Sequence, residues 1–196
     1  MLDRIRNNFG LDYRLLCTYM FISGLGWGAA AILIPLYGDF LGGGLTIIGF
    51  MWTIYSLPRA FFNPIFGRLS DLFGNRKNFI SIGFILSGIF FLLIPVFGLI
   101  MTFIILRALQ GMAISAARPV ASSLASQEKQ KKGRAKALGL YDTSRTVGQS
   151  ISPVIIGFML QYFGFLAPFV LSGSFNILAG ILVFFTISSE YGAPPT

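Results

Sequence analysis

Four arginines stand inside long apolar stretches of this sequence: Arg59, Arg107, Arg118 and Arg145. A guanidinium at the centre of a membrane helix costs about 2.5–3.5 kcal/mol on insertion scales, so each needs a partner, a wet cavity or a nearby membrane edge. The planar fork of donors suits a carboxylate or a phosphate, which makes Arg59 and Arg145 candidates for holding an anion. Arginines also tie helices together through backbone carbonyls, and a structural and proton-coupling network is the competing reading. Asp142 is the embedded carboxylate, three residues before Arg145, and that spacing puts both on one helix face. Arg59, Asp142 and Arg145 are therefore the candidate substrate cavity, and a proton-carrying acid in this chain would be Asp142. Arg118 lies near the end of its apolar run, where a long side chain can snorkel to the interface. Tyr19, Trp27, Trp52 and Tyr55 could line a cavity, although ordinary helix packing accounts for them more simply.

Enzyme chemistry finds little here. His is absent and Cys17 is the single cysteine, which excludes a His-dependent triad, a Cys/His zinc site and an intrachain disulfide. Tyr141-Asp142 and Tyr37-Gly38-Asp39 resemble the aspartate pair of intramembrane aspartyl proteases. The order is reversed, Leu36 replaces a required glycine and Asp39 falls at a membrane edge. No catalytic residue, cofactor or metal is expected.

The elements that must position these side chains follow from composition. Of 196 residues, 55% are hydrophobic and 11% charged, against about 25% charged in soluble domains. A crossing of the bilayer takes roughly 20 apolar residues, and six apolar runs are present, at 15–37, 45–66, 79–98, 100–122, 138–160 and 165–187. The expected fold is all-α, a six-helix membrane bundle over residues 1–187 with a tail or the start of a linker at 188–196, and no soluble domain beside it. The first run is too long and too polar-flanked to be a cleaved signal peptide. Pro35, Pro58, Pro64, Pro95, Pro119, Pro153 and Pro168 fall in or at the ends of the runs, where bent helices recover freed carbonyls from neighbours or cavity water.

Of the 15 basic residues, Arg4, Arg6 and Arg14 precede the first run, Arg68, Arg76 and Lys77 follow the second, and Lys129, Lys131, Lys132, Arg134 and Lys136 follow the fourth. The loops after the first, third and fifth runs have no Lys or Arg. By the positive-inside rule both termini face the cytoplasm of a multi-pass plasma-membrane protein. The net charge of +8 thus anchors topology and implies no nucleic-acid partner, which would need a solvated basic face.

The second run closes on PIFGRLSDLFG, with Gly67 and Gly74 seven apart, and the fifth on PVIIGFMLQYFG, with Gly157 and Gly164 seven apart. Runs three crossings apart have opposite orientation, so this match predicts a 3+3 inverted repeat of the kind secondary transporters use.

Residues 67–77 read GRLSDLFGNRK, in which Gly67, Asp71, Gly74, Arg76 and Lys77 follow a pattern that resembles the signature loop of the major facilitator superfamily. RALQG, with Arg107, Gln110 and Gly111, resembles that family's fourth-helix motif. Gly139, Gly148, Pro153 and Gly157 resemble the fifth-helix motif of its drug:proton antiporters, with Ser152 and Ile156 in place of two glycines. The resemblance spans the whole chain but only the N-terminal half of the usual twelve helices. It implies a transporter half that moves a small solute by rocking against a second six-helix half, continued in the same chain, a second copy or a separate subunit, and antiporter-like efflux with protons as the coupling ion. The loop at 67–77 would then be the cytoplasmic gate, and Arg107 a coupling residue. Import or exchange of an organic anion or phosphate compound is the alternative, and a non-transporting assembly or regulatory partner is a further one.

Overall fold

The computed structural model describes residues 2–127 and 134–187, with side chains described from 13–126 and 135–187. Lys129, Lys131, Lys132 and the tail at 188–196 lie outside the described residues, as do the side chains of Arg4, Arg6 and Arg134. Seven helices make up the described chain: α1 Leu2–Gly28, α2 Ala30–Phe40, α3 Gly44–Phe73, α4 Arg76–Phe97, α5 Ile100–Gln127, α6 Arg134–Phe163 and α7 Leu166–Thr186. The first crossing is α1 and α2 together, interrupted at Ala29, where the amides of Ile32 and Leu33 both donate to the Ala29 carbonyl. Pro35 sits in the short second part.

Five spans are long and apolar enough to cross a membrane, the first being Tyr13–Phe40. The sixth helix, α6, is as long as α3. Its polar face is the reason it falls short in hydropathy: Asp142, Thr143, Ser144, Arg145, Thr146, Gln149 and Ser150 crowd two turns. Such a face is stable in a bilayer only against protein or water.

The packing partners reveal the repeat. The most extensive contacts are α4 on α7, α1 on α6, α4 on α5 and α3 on α5. Exchanging crossings 1, 2 and 3 with 4, 5 and 6 turns the α1·α6 pair into α5·α3, and maps α4·α7 onto itself. The chain is therefore two inverted three-helix units closed around each other, as the glycine spacing predicted. Small residues set the two equivalent contacts. A Cβ on Gly148 would run into the carbonyl oxygen of Phe21 on α1, and one on Gly111 into that of Tyr55 on α3. Backbones approach closely where no side chain intervenes, and membrane helices use this in place of a hydrophobic drive. Hydroxyl and amide ties reinforce the contacts: Ser152 Oγ donates to the Leu25 carbonyl at 2.5 Å, Ser81 Oγ to Gly180 at 2.7 Å, and Ser23 Oγ to Asn176 Oδ1 at 3.1 Å.

The glycines of the fifth-helix motif separate into two kinds. Gly148 is packed, whereas Gly139 and Gly157 have nothing within 4 Å of a Cβ position. Those two meet no packed helix among the described residues.

Candidate substrate cavity and gate

Helix α3 runs seven residues beyond 66, so Gly67, Arg68 and Asp71 ride on its last two turns and not in a loop. Gly67 meets open space and has no unusual backbone angle, so it makes no tight turn. The break is only Gly74-Asn75. Gly74 takes φ +65°, and its amide caps the helix on the Ser70 carbonyl, a left-handed geometry that favours glycine. Because the break is so short, Arg76 in the first turn of α4 swings back onto Asp71, with Nη2 to Oδ1 at 2.6 Å. Lys77 does not join this latch, as the sequence suggested; its Nζ sits 5.3 Å from the Phe184 ring centre on α7.

Arg107 on α5 is fully buried. One guanidinium nitrogen donates to Gln110 Oε1 at 2.6 Å, one turn along, while Nε and Nη2 have no hydrogen-bond partner. Aromatic faces replace the missing acceptors: the guanidinium lies 4.3 Å from the Tyr55 ring centre and 5.7 Å from that of Trp52. Arg59 approaches Tyr55 at 5.2 Å, and Trp27 Nε1 donates to the Tyr55 hydroxyl at 2.7 Å. Trp27 in turn carries Arg118 at 4.9 Å. Three of the four embedded arginines are thus joined through Tyr55 and the two tryptophans. These aromatics do more than fill space, whereas Tyr19, bonded to Thr186, is a packing residue.

Arg118 corrects the snorkelling expectation. Its Nε is buried without a partner, and the side chain turns inward along α5 to Trp27. Position 118 is eleven residues from 107, about three helical turns, so both point from one face of α5. That spacing was readable in the sequence and would have placed Arg118 on the face of Arg107.

Arg145 and Asp142 pair as their spacing predicts, Nη2 to Oδ1 at 3.1 Å and Nε to the same oxygen at 3.4 Å. The pair borders a cavity of about 240 Å³ that also contains Arg118, Asn63, Ser122 and Tyr141. Arg59 is not in its lining. The cavity therefore joins Arg145 to Arg118 and not, as the sequence suggested, to Arg59. A second cavity of about 350 Å³ shares Asp142 and runs along Thr143, Thr146 and Ser150 of α6. Among the described residues no group of three or more His, Cys, Asp or Glu could hold a metal ion.

Two inverted three-helix units, broken helices, and a polar cavity facing one side of the bundle define a secondary-transporter fold. The family model of the Major Facilitator Superfamily matches residues 16–196, and the chain belongs to that family. It is 30% identical to multidrug resistance protein 1 of Bacillus subtilis over 88% of this chain and 44% of that protein. It is 28% identical to the multi-drug resistance efflux pump PmrA of Streptococcus pneumoniae, over 87% of this chain and 43% of the pump. An uncharacterized MFS-type transporter of Methanocaldococcus jannaschii is 29% identical over 83% of this chain and 42% of its own length. The solved structure of a bacterial homolog to the human lysosomal transporter Spinster, inward-facing and unoccupied, superposes with a TM-score of 0.61 at 20% identity, over 97% of this chain and 44% of that one. This last likeness concerns the fold. The chain spans less than half the length of these relatives. The family and the named relatives are transporters.

Proposed function

We propose that this chain is one half of an antiporter-like efflux carrier, moving a small solute by alternating access against a second six-helix unit. The observation that carries the reading is the bare face of α3 and α6, the two helices related by the inverted repeat. Phe50, Leu57, Phe61 and Ile65 on α3 are exposed, and so are Leu140, Val147, Ile151, Val154, Phe158 and Tyr162 on α6. Each set advances by three, four or seven residues, one helical stripe. Gly139 and Gly157 lie open on α6, ready for close approach by another helix. The polar cavities open beside this stripe, where a second unit would enclose them. A relative named as a multi-drug resistance efflux pump and one named as a multidrug resistance protein support outward transport, with the Asp71–Arg76 latch as the cytoplasmic gate and Arg107 as the coupling residue. By its basic residues the unit has the second-to-third and fourth-to-fifth connections in the cytoplasm. Efflux of ethidium from vesicles holding this chain with a second six-helix unit, abolished by collapsing the proton gradient, is the expected result. Ethidium retention equal to that of empty vesicles would overturn it. Organic-anion exchange is a second reading, favoured by one observation: the cavity holds two arginines and one carboxylate.

A further inference from the structure

The charge around the 240 Å³ cavity does not close within this chain. Asp142 reaches Arg145, whereas Arg118 lies over the face of Trp27 and its buried Nε has no hydrogen-bond partner among the described residues. Arg118 and Arg145 both line the cavity with Asp142, so two guanidinium groups face one carboxylate. Buried cationic donors without acceptors are costly unless an anion reaches them. The cavity is open, unlike the closed Arg107 site, so a solute can reach it.

We infer that this cavity is an anion subsite, in which Arg118, with Arg145 held beside it by Asp142, binds the carboxylate or phosphate group of an organic anion. The inference rests on reading the chain as a transporter half, and it places the substrate of the second, organic-anion reading. Size supports it: about 240 Å³ is below the roughly 300–1,000 Å³ of whole-ligand pockets, enough for an acid group and not for a whole drug-sized solute. The body of the solute continues into the adjoining cavity, whose Thr143, Thr146 and Ser150 hydroxyls and Val147 and Ile151 side chains suit a partly apolar chain or ring. Asn63 also lines the cavity. Its carboxamide oxygen is buried without a partner, and half a turn of the amide offers the acid a donor. Asp142 has a precise place in this arrangement. Both Arg145 bonds end on Oδ1, which orients the guanidinium and also repels the incoming anion, so Asp142 is a positioning residue that lowers affinity.

The test uses the full chain in lipid nanodiscs with Trp52→Phe, leaving Trp27 as the sole tryptophan. Trp27 lies against Arg118 and reports its displacement. Benzoate and phenyl phosphate should change Trp27 emission saturably and benzyl alcohol should not. Arg118→Gln should weaken benzoate binding about 10- to 100-fold, the loss of one charged hydrogen-bonding group, with an unchanged melting temperature. Asp142→Asn should tighten binding. Equal affinities for benzoate and benzyl alcohol, or unchanged affinity in Arg118→Gln, would overturn the subsite. If Arg118→Gln fails to fold, Arg118→Lys keeps the charge but not the planar fork, and undiminished benzoate binding by it would likewise overturn the subsite. Pumping of ethidium by the two-unit assembly without any anion binding would reject the subsite and leave the transport reading standing. Anion binding by a chain whose assembly pumps nothing would reject transport and leave the subsite.

Discussion

Arg107 shows how a charge can sit in a bilayer without a carboxylate partner among the described residues. Its neighbours are Gln110, Tyr55 and Trp52, and cation–π contacts at desolvated sites contribute about 2 kcal/mol or more. That offsets only part of the burial cost, so the residue is not there for stability. Arg107→Met, close in volume and apolar, should leave the melting temperature unchanged or higher, while proton-gradient-driven efflux by the two-unit assembly is lost. A large fall in melting temperature would mean that the arginine is chiefly structural. The glycines give a second residue-scale contrast. Gly148→Ala places a Cβ against the Phe21 carbonyl and should destabilise the chain by about 1–3 kcal/mol, the usual cost of overpacking. Gly157→Ala meets open space and should not lower the melting temperature, but it should weaken association with the second unit. Parallel thermal melts and co-purification yields separate the two.

At the scale of elements, the proposed gate depends on the shortness of the α3–α4 break. Two residues join the helices, so Asp71 and Arg76 are only five apart and meet across the corner. Asp71 is exposed although its partner Arg76 is largely buried, and an ion pair with one end in solvent contributes about 0–1 kcal/mol to stability. Asp71→Asn should therefore melt normally, yet raise the accessibility of cysteines placed in the cytoplasmic half of the cavity, such as Ser122→Cys, in the two-unit assembly. Equal labelling in both backgrounds would leave Asp71 without a gating role. Gly74→Ala acts through the backbone instead. A left-handed residue with a Cβ costs about 1–2 kcal/mol, and the strain would be relieved by opening the corner, so this variant should both destabilise the chain and raise the same labelling.

The whole molecule is a unit whose interior is settled and whose outer face is not. Its contacts close the inverted repeat within the chain, while the stripes on α3 and α6 and Gly139 and Gly157 of α6 stay exposed, the face proposed to meet the second unit. Orientation in the membrane is a property of the same scale, because it depends on the balance of basic residues between all loops. With Cys17→Ser as background, a cysteine at Gly43 should react with an impermeant thiol reagent applied to intact cells, and one at Asn75 should not. Labelling at position 75 would reverse the orientation and move the Asp71 latch to the outside.

Much of this was legible in one dimension, for reasons tied to particular residues. Hydropathy marked the crossings because the bilayer imposes a length and an apolar character on each one, and Gly67–Gly74 against Gly157–Gly164 marked the repeat because inverted copies reuse one backbone design. The Asp142–Arg145 pair was readable from i,i+3 spacing alone. The companions of each arginine were not. Whether Arg118 leaves for the interface or turns inward to Trp27 depends on α1 lying against the middle of α5 and α6, a contact between positions about ninety residues apart in the chain. Whether Arg145 shares a cavity with Arg59 or with Arg118 depends on the rotation of α3 about its own axis, which close packing of Gly111 on Tyr55 sets. Sequence spacing determines which side chains share a helix face; only the packed helices decide which faces look at one another.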